Sequence, residues 1–285
     1  RSYLPMPELP EVETLRRDLS PLLSEQTITH VKIFWPKAVA PLTPRQFAAR
    51  LKNKIIKKVE RRAKMLIIHL TDGNFLVIHL KMTGQLIFTP KKGGVIMGGH
   101  SGPLGHTRVS FNFKSGARLD FNDLRKFGWM RLMTTEALEK ITNNLGPEPL
   151  ETLTKSAWEK ILNRYPQRTL KQVLLDQTLI AGLGNIYVDE ACHRAKVRPE
   201  RRAESITTSE GQSLRRAIMA VLRHSLRHGG TSSRDYRRAS GAKGGFHAHL
   251  RVYGRGGKPC LKCRRPITKS KHAGRGTHYC AYCQK

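Results

Sequence analysis

The stretch PELPEVET, from Pro7 to Thr14, decides how the rest of the sequence is interpreted. Proline suits the first turn of a helix, and the glutamates that follow it suit the positive end of the helix dipole. Apolar residues then recur at helical spacing from Val12 to Leu23. The stretch therefore predicts a helix that begins close to Pro7 and places Glu8 beside its start.

Pro7 also follows Met6, which can serve as a start of translation. If Met6 is removed, Pro7 carries a free secondary amine, and an α-amino group with a pKa of about 8 is largely unprotonated compared with a lysine at about 10.4. Such an amine is a nucleophile that can form an imine-type intermediate, and Glu8 stands where a proton donor or acceptor is needed. Residues 1–5 lack the apolar run of a signal peptide, so we expect them to be an upstream mis-start or a cloning remnant.

The charge of the chain points to a polyanionic partner. Its 285 residues include 52 Lys and Arg against 21 Asp and Glu, for a formal net charge of +31. Nucleic acid is the leading candidate, because neutralisation of phosphates supplies affinity that does not depend on sequence. An anionic membrane surface is disfavoured, because the basic residues are spread along the chain and do not gather on one amphipathic helix. No stretch approaches the roughly 20 apolar residues of a membrane span, and we expect a cytoplasmic protein.

Short β-type runs separated by turns occupy the chain from Ile28 to Met133. Many short strands at close spacing are typical of an antiparallel sandwich or barrel. Within this region, Arg61 and Arg62 are expected to be solvated charges at the end of a strand. The segment 90–105 is rich in glycine and lysine and predicts a mobile surface loop.

Helical spacing replaces the β-type runs from Leu153 to Arg227. Gly182 and Gly184 allow tight turns, and a helix is predicted to start near Asn185. The free amide groups at such a helix start can bind an anion, although a helix-turn-helix used only for packing is the alternative. The glycine-rich segment 240–246 predicts a flexible loop.

Four of the five cysteines form two Cys-x-x-Cys pairs near the C-terminus. Each pair presents two thiolates to one metal, and four thiolates complete the tetrahedral shell that zinc prefers. A closed shell leaves no position for water, so we expect one structural Zn²⁺ and no catalytic metal. The fifth, Cys192, is expected to be an inert core residue. The predicted ligands are Cys260, Cys263, Cys280 and Cys283.

Taken together, these features resemble the formamidopyrimidine-DNA glycosylases, whose N-terminus also reads PELPEVET, and the resemblance continues in pieces to Lys285. It implies an α+β multidomain protein: an N-terminal β-sandwich with a flanking helix, a helical helix–two-turns–helix region and a zinc-ribbon β-hairpin finger. The predicted division is 1–6 upstream, 7–135 catalytic β-sandwich, 136–150 linker, 151–238 DNA-binding helices, and 239–285 lesion-recognition loop and zinc finger.

The resemblance implies catalytic roles for four residues. Pro7 would attack C1′ of the damaged nucleotide, and Glu8 would handle the protons of base release and ring opening. Lys64 would reach the site from a loop beside a strand, assist β-elimination and touch phosphate. Arg275, which lies between two glycines as at a hairpin tip, would bind the phosphate beside the lesion and assist δ-elimination.

Five further residues are implied as DNA contacts. Met82, Arg125 and Phe127 would fill the gap left by an extruded nucleotide, since an enzyme that acts at C1′ must take the base out of the stack. Asn185 would contact a backbone phosphate. His106 matches a DNA-contacting histidine, and a surface histidine with no role is the alternative.

The function that follows is a bifunctional DNA glycosylase and AP lyase of base excision repair. It would remove oxidised purines such as formamidopyrimidine and 8-oxoguanine from double-stranded DNA, and would also act at abasic sites. We expect a monomer that associates with the bacterial nucleoid while it acts. Two alternatives stay open: the related oxidised-pyrimidine branch, whose N-terminus usually reads PEGP, and a non-catalytic DNA-binding zinc-finger protein on the same scaffold.

Overall fold

The computed structural model describes residues 6–91, 105–232, 235–272 and 274–285. Residues 1–5 and nearly all of the predicted loop 90–105 lie outside the described residues. The first helix, α1, spans Leu9–Leu23 and begins immediately after Glu8. Four residues of its apolar stripe are fully buried, whereas Leu22 is exposed, and each buried leucine contributes about 1.5–3 kcal/mol. The helix is therefore firmly packed on the sheet region, which fixes the position of Pro7 and Glu8. The four buried residues of the stripe are Val12, Leu15, Leu19 and Leu23.

Two four-stranded antiparallel sheets follow and enclose one apolar core, as the alternating short runs predicted. A short helix, α2 (Pro44–Leu51), lies between the first two strands in sequence. The first sheet has the order β1-β6-β7-β5, with β1 Ile28–Ile33, β5 Gly84–Thr89, β6 Thr107–Phe113 and β7 Arg118–Asp123. The second has the order β2-β3-β4-β8, with β2 Ile56–Arg62, β3 Met65–Leu70, β4 Phe75–His79 and β8 Trp129–Met133.

A helical region with its own core follows the sandwich. The segment 136–150, predicted as a linker, contains most of a short helix, α3. Large buried side chains, among them Trp158 and Tyr187, hold the later helices together. Within the described part of the chain, no helix combines the length and apolarity needed to cross a membrane. The helices are α3 Thr135–Thr142, α4 Lys155–Arg164, α5 Leu170–Leu175, α6 Asn185–Ala195 and α7 Thr208–Arg227.

The C-terminal finger is a two-stranded hairpin, β9 (Thr268–His272) and β10 (Arg275–Tyr279). Its apolar core is very small: Val252 and Ile267 are buried with the sulfur atoms of two cysteines. A core of this size cannot support an independent unit, which explains why four thiolates gather here.

The segment 240–246 is not the flexible loop that its composition predicted. The N–H of Gly244 donates to Ser232 Oγ at 2.8 Å, and the N–H of Phe246 donates to the carbonyl of Gly230 at 3.0 Å. A Cβ at Gly244 would lie 2.4 Å from the carbonyl oxygens of Gly229 and Gly230. The glycine therefore serves close backbone packing. Phe246 itself is 2% exposed.

Candidate active site

The start of α1 meets the start of α6. The N–H of Leu9 donates to the carbonyl of Gly182 at 3.0 Å, and the N–H of Ile186 donates to Glu8 Oε1 at 2.9 Å. A Cβ at Gly184 would lie 2.4 Å from the carboxyl carbon of Glu8, so only glycine admits this carboxyl group to the helix start. Pro7 is buried beside this junction.

Glu8 has the properties of a proton donor. Its side chain is 2% exposed, and Oε2 has no hydrogen-bond partner among the described residues. Burial raises the pKa of Glu8 to about 8, although the nearby charge of Lys64 acts in the opposite direction. A carboxyl group with this pKa is mainly protonated at neutral pH, which is the state that general acid catalysis requires.

Lys64 lies in the turn between β2 and β3 and is 6% exposed. Its Nζ donates to the carbonyl of Leu183 at 2.6 Å, at the same junction that holds Glu8. Burial lowers the pKa of Lys64, the Glu8 carboxylate opposes that shift, and Arg275 adds to it. Lys64 therefore lies at the junction that holds Glu8, and the charge of Arg275 acts on its amine.

Arg61 and Arg62 are not the solvated charges that their position in a basic run predicted. The side chain of Arg61 is 4% exposed and pairs with Glu148 at 2.5 Å and with Glu13 at 3.2 Å. Arg62 pairs with the same Glu148 at 3.1 Å. The partner lies more than 80 residues away in sequence, which hid the pairing. Together these ion pairs hold the turn that carries Lys64.

Glu11 is a buried carboxyl group that sequence reasoning assigned only to the helix dipole. It accepts hydrogen bonds from the N–H of Glu8 at 2.9 Å, from the N–H of Thr231 at 2.7 Å and from the hydroxyl of Tyr187. Burial raises its pKa, and the bond from Tyr187 opposes the shift. Glu11 therefore joins α1 to α6 and to the segment after α7, and it orients the backbone of Glu8.

Met82, Arg125 and Phe127 lie together at an exposed edge of the sandwich. The Nη1 of Arg125 is 3.0 Å from Met82 Sδ, and its guanidinium carbon is 4.8 Å from the centroid of the Phe127 ring. Phe127 is 52% exposed, so its ring is open to solvent. The structure thus brings together the three residues that were predicted to fill a gap in DNA.

A buried carboxylate, Asp123, connects the two loops that carry these residues, and sequence reasoning missed it. Asp123 is 0% exposed and accepts a hydrogen bond from the hydroxyl of Thr83. It also accepts from the N–H of Gly128 at 2.7 Å and from the N–H of Arg125 at 3.3 Å. The N–H of Asp123 itself donates to the carbonyl of His106 at 2.9 Å. This bond holds His106, the residue directly before β6, near these loops.

Replacing Asp123 by asparagine is expected to lower the free energy of unfolding by about 1–3 kcal/mol. One carboxylate oxygen accepts hydrogen bonds from Thr83 and Arg125, and the other accepts from Gly128. The amide of asparagine has only one oxygen, so its NH₂ group would face a donor at the position of the other oxygen. Urea unfolding measures the change. Glu139→Gln on exposed α3 is the charge-matched control, and an equal effect of both substitutions would contradict this role of Asp123.

Two contacts fasten the finger to α6. The side-chain amide of Asn185 donates to the carbonyl of Gly276 at 2.8 Å. The fully buried Lys171 pairs with Asp189 at 2.5 Å, and Asp189 accepts the N–H of His278 at 2.8 Å. Such a buried charge is tolerated because it is paired. The contacts position Arg275, which is exposed at the start of β10.

The four predicted metal ligands converge in the finger. Their sulfur atoms all lie within 4.8 Å of one another, and all four thiols are free. Backbone N–H groups point at two of the sulfurs: that of Lys262 at Cys260 Sγ, 3.5 Å away, and that of Cys283 at Cys280 Sγ, 3.4 Å away. Four thiolates in this arrangement fit one structural zinc ion. The fifth cysteine, Cys192, is fully buried in α6.

Comparisons with known proteins cover the whole of this architecture. Residues 6–130 match the formamidopyrimidine-DNA glycosylase N-terminal domain, residues 145–237 match its H2TH domain, and residues 257–285 match the zinc finger found in FPG and IleRS. A formamidopyrimidine-DNA glycosylase from Pelotomaculum thermopropionicum is 44% identical over 98% of this chain and 99% of its own. One from Geobacillus kaustophilus is 41% identical over 98% of this chain and all of its own.

Solved structures agree with the sequence relatives. A Lactococcus lactis FPG mutant in complex with a Fapy-dG containing DNA is 34% identical, covers 98% of this chain and 100% of its own, and has a TM-score of 0.87. The MutM (FPG) protein from Thermus thermophilus is 39% identical, covers 98% of both chains, and has a TM-score of 0.85. The predicted family, and with it the class of DNA glycosylases, is confirmed. This chain belongs to the formamidopyrimidine-DNA glycosylase family.

Proposed function

We propose that this protein removes oxidised purines, including formamidopyrimidines and 8-oxoguanine, from double-stranded DNA and then cuts the strand as an AP lyase. The observation that carries the proposal is the buried carboxyl of Glu8, whose pKa is raised to about 8, beside Pro7. Relatives support the substrate class, because solved Lactococcus lactis enzymes hold DNA with Fapy-dG or with an abasic site. We further propose that the protein acts on nucleoid DNA in the bacterial cytoplasm.

The nucleophile in this proposal is the nitrogen of Pro7, which must be freed by cleavage after Met6. The match to the family's N-terminal domain begins at residue 6, which supports Met6 as the start of translation. The free amine bonds to C1′, the bond from C1′ to the damaged base breaks, and the base leaves with the bonding electrons and takes up a proton from Glu8. Glu8 then recovers the proton that the Pro7 nitrogen loses. Glu8 supplies a proton as the sugar ring opens, which leaves an iminium ion between Pro7 and C1′.

The iminium ion makes strand cleavage possible, because it withdraws electrons from C2′ and acidifies its hydrogen. Loss of that proton breaks the bond from C3′ to oxygen, and a second elimination breaks the bond from C5′ to oxygen. In this proposal Lys64 assists the first step and Arg275 holds the phosphate for the second. Met82, Arg125 and Phe127 fill the gap in the duplex, Asn185 contacts backbone phosphate, and His106 adds a further DNA contact.

Borohydride trapping tests the proposal, because borohydride reduces an iminium ion to a stable amine. Protein that begins at Pro7 should form a covalent product with a duplex that contains 8-oxoguanine, and none with undamaged duplex. The matched control is the same chain with residues 1–6 still attached, which should bind the damaged duplex without trapping. Tight binding with no covalent product from either form would favour the non-catalytic DNA-binding alternative.

A further inference from the structure

Three histidines converge on the side of the helical region that faces the finger. His224 and His228 lie one turn apart near the end of α7, and His249 ends a 3₁₀ turn at Phe246–His249. The ring centroids are 4.7 Å apart for His224 and His228, 4.9 Å for His224 and His249, and 4.1 Å for His228 and His249. One ligand nitrogen from each ring lies within 4.8 Å of the others.

The hydrogen bonding of His228 leaves one of its ring nitrogens with an available lone pair. His228 Nδ1 donates to the carbonyl of His224 at 2.9 Å, so in the neutral ring the lone pair is on Nε2. Metal-binding histidines commonly make this second bond, because it fixes the tautomer and the ring orientation.

The surroundings select the kind of cation. His224 and His249 border a cavity of about 410 Å³ that is also lined by Arg194 and Arg251, so electrostatic attraction alone does not hold an ion here. The carboxylate in the same cavity, Glu190, is already bonded to the backbone N–H of Arg251 and Tyr253. Hard cations such as Mg²⁺ depend on charged oxygen ligands, whereas Zn²⁺, Ni²⁺ and Cu²⁺ bind strongly to neutral imidazole.

We propose that His224, His228 and His249 form a second metal site, for a late first-row divalent cation such as Ni²⁺ or Zn²⁺, separate from the four cysteines. Bonds of about 2.0–2.1 Å to each nitrogen require the rings to move inward by roughly an ångström from their present spacing. The cavity leaves room for water as the remaining ligand. A bound ion would fasten the 3₁₀ turn, and with it the segment that leads into the finger, to the end of α7.

Nickel binding to the zinc-loaded full chain tests the proposal. After equilibrium dialysis against Ni²⁺, elemental analysis should find one nickel in addition to one zinc per chain. His249→Gln and His224→Gln should each lose the nickel and keep the zinc, which also shows that the variants fold. The matched control is His247→Gln, since His247 is exposed on the same 3₁₀ turn and lies outside the cluster.

Two outcomes would overturn the proposal. The first is a wild-type chain that retains no nickel beyond the cysteine site, which would leave the three rings as packing around Phe246. The second is equal nickel retention by wild type and His249→Gln. A parallel dialysis against Mg²⁺ should leave no magnesium on the protein, and retained magnesium would contradict the proposed preference for imidazole-binding metals.

Discussion

Glu8→Gln is expected to slow base removal by about 10²–10⁴-fold while damaged DNA still binds. Glutamine has nearly the same shape, and its carbonyl oxygen can still accept the N–H of Ile186 that now bonds Glu8 Oε1 at 2.9 Å. What it lacks is the acidic proton, so the loss should appear in the chemical step. Single-turnover kinetics on a lesion duplex measure the rate, and a gel shift measures binding. Glu139→Gln, an exposed carboxyl on α3, is the control that should change neither.

The pH dependence of the rate gives this prediction a second readout. The pKa of Glu8 is raised to about 8, chiefly by burial, so the protonated form is present below that pH and is lost as the pH rises through it. The rate of base removal should therefore fall above about pH 8, and the fall should be absent in Glu8→Gln. A wild-type rate that stays level from about pH 6 to pH 9, or a Glu8→Gln variant of full activity, would contradict a role for Glu8 as the acid.

Loss of the zinc site is the second large effect. Cys260→Ser should remove zinc from the protein and lower the affinity for lesion duplex by about 10- to 100-fold. This factor corresponds to the loss of one charge-assisted hydrogen bond, which contributes about 1.5–3 kcal/mol. The reason is that the finger core contains little besides Val252, Ile267 and the cysteines, so the metal supplies most of its folding energy. Without it, the hairpin no longer presents Arg275.

Elemental analysis and DNA titration check this prediction together. Cys192→Ala is the matched control, because Cys192 is fully buried in α6 and belongs to no group of candidate metal ligands in the described residues. It should keep one zinc and bind DNA as wild type does. Unchanged affinity in a Cys260→Ser protein that has been shown to lack zinc would mean that the finger does not contribute to DNA binding.

The sequence was most informative where the signal is local. A proline and capping glutamate predict the start of α1, and paired Cys-x-x-Cys turns predict a zinc site, because all the required groups lie within a few residues. The grouping of Met82 with Arg125 and Phe127 came from the family resemblance. Pattern alone could not have brought together Met82 and Arg125, whose contacting atoms are separated by 43 residues of chain.

The errors and omissions concern contacts that only the folded chain makes. Arg61 resembles a solvated charge until Glu148 is brought to it, and the glycines of segment 240–246 resemble a flexible linker until the backbone at Gly230 packs against them. Asp123 was missed because an acidic residue at a strand end is ordinarily exposed. Only the fold shows that it is buried and accepts three hydrogen bonds.

The most direct test of the proposed mechanism is peptide mapping of the borohydride-trapped complex by mass spectrometry. The account predicts that the deoxyribose remnant is attached to the nitrogen of Pro7, in a peptide that lacks Met6 and everything before it. Lys64 is the rival nucleophile, because it is a buried amine with a lowered pKa at the same junction. Attachment to Lys64, or an adduct on a chain whose Pro7 is still joined to Met6, would contradict the account.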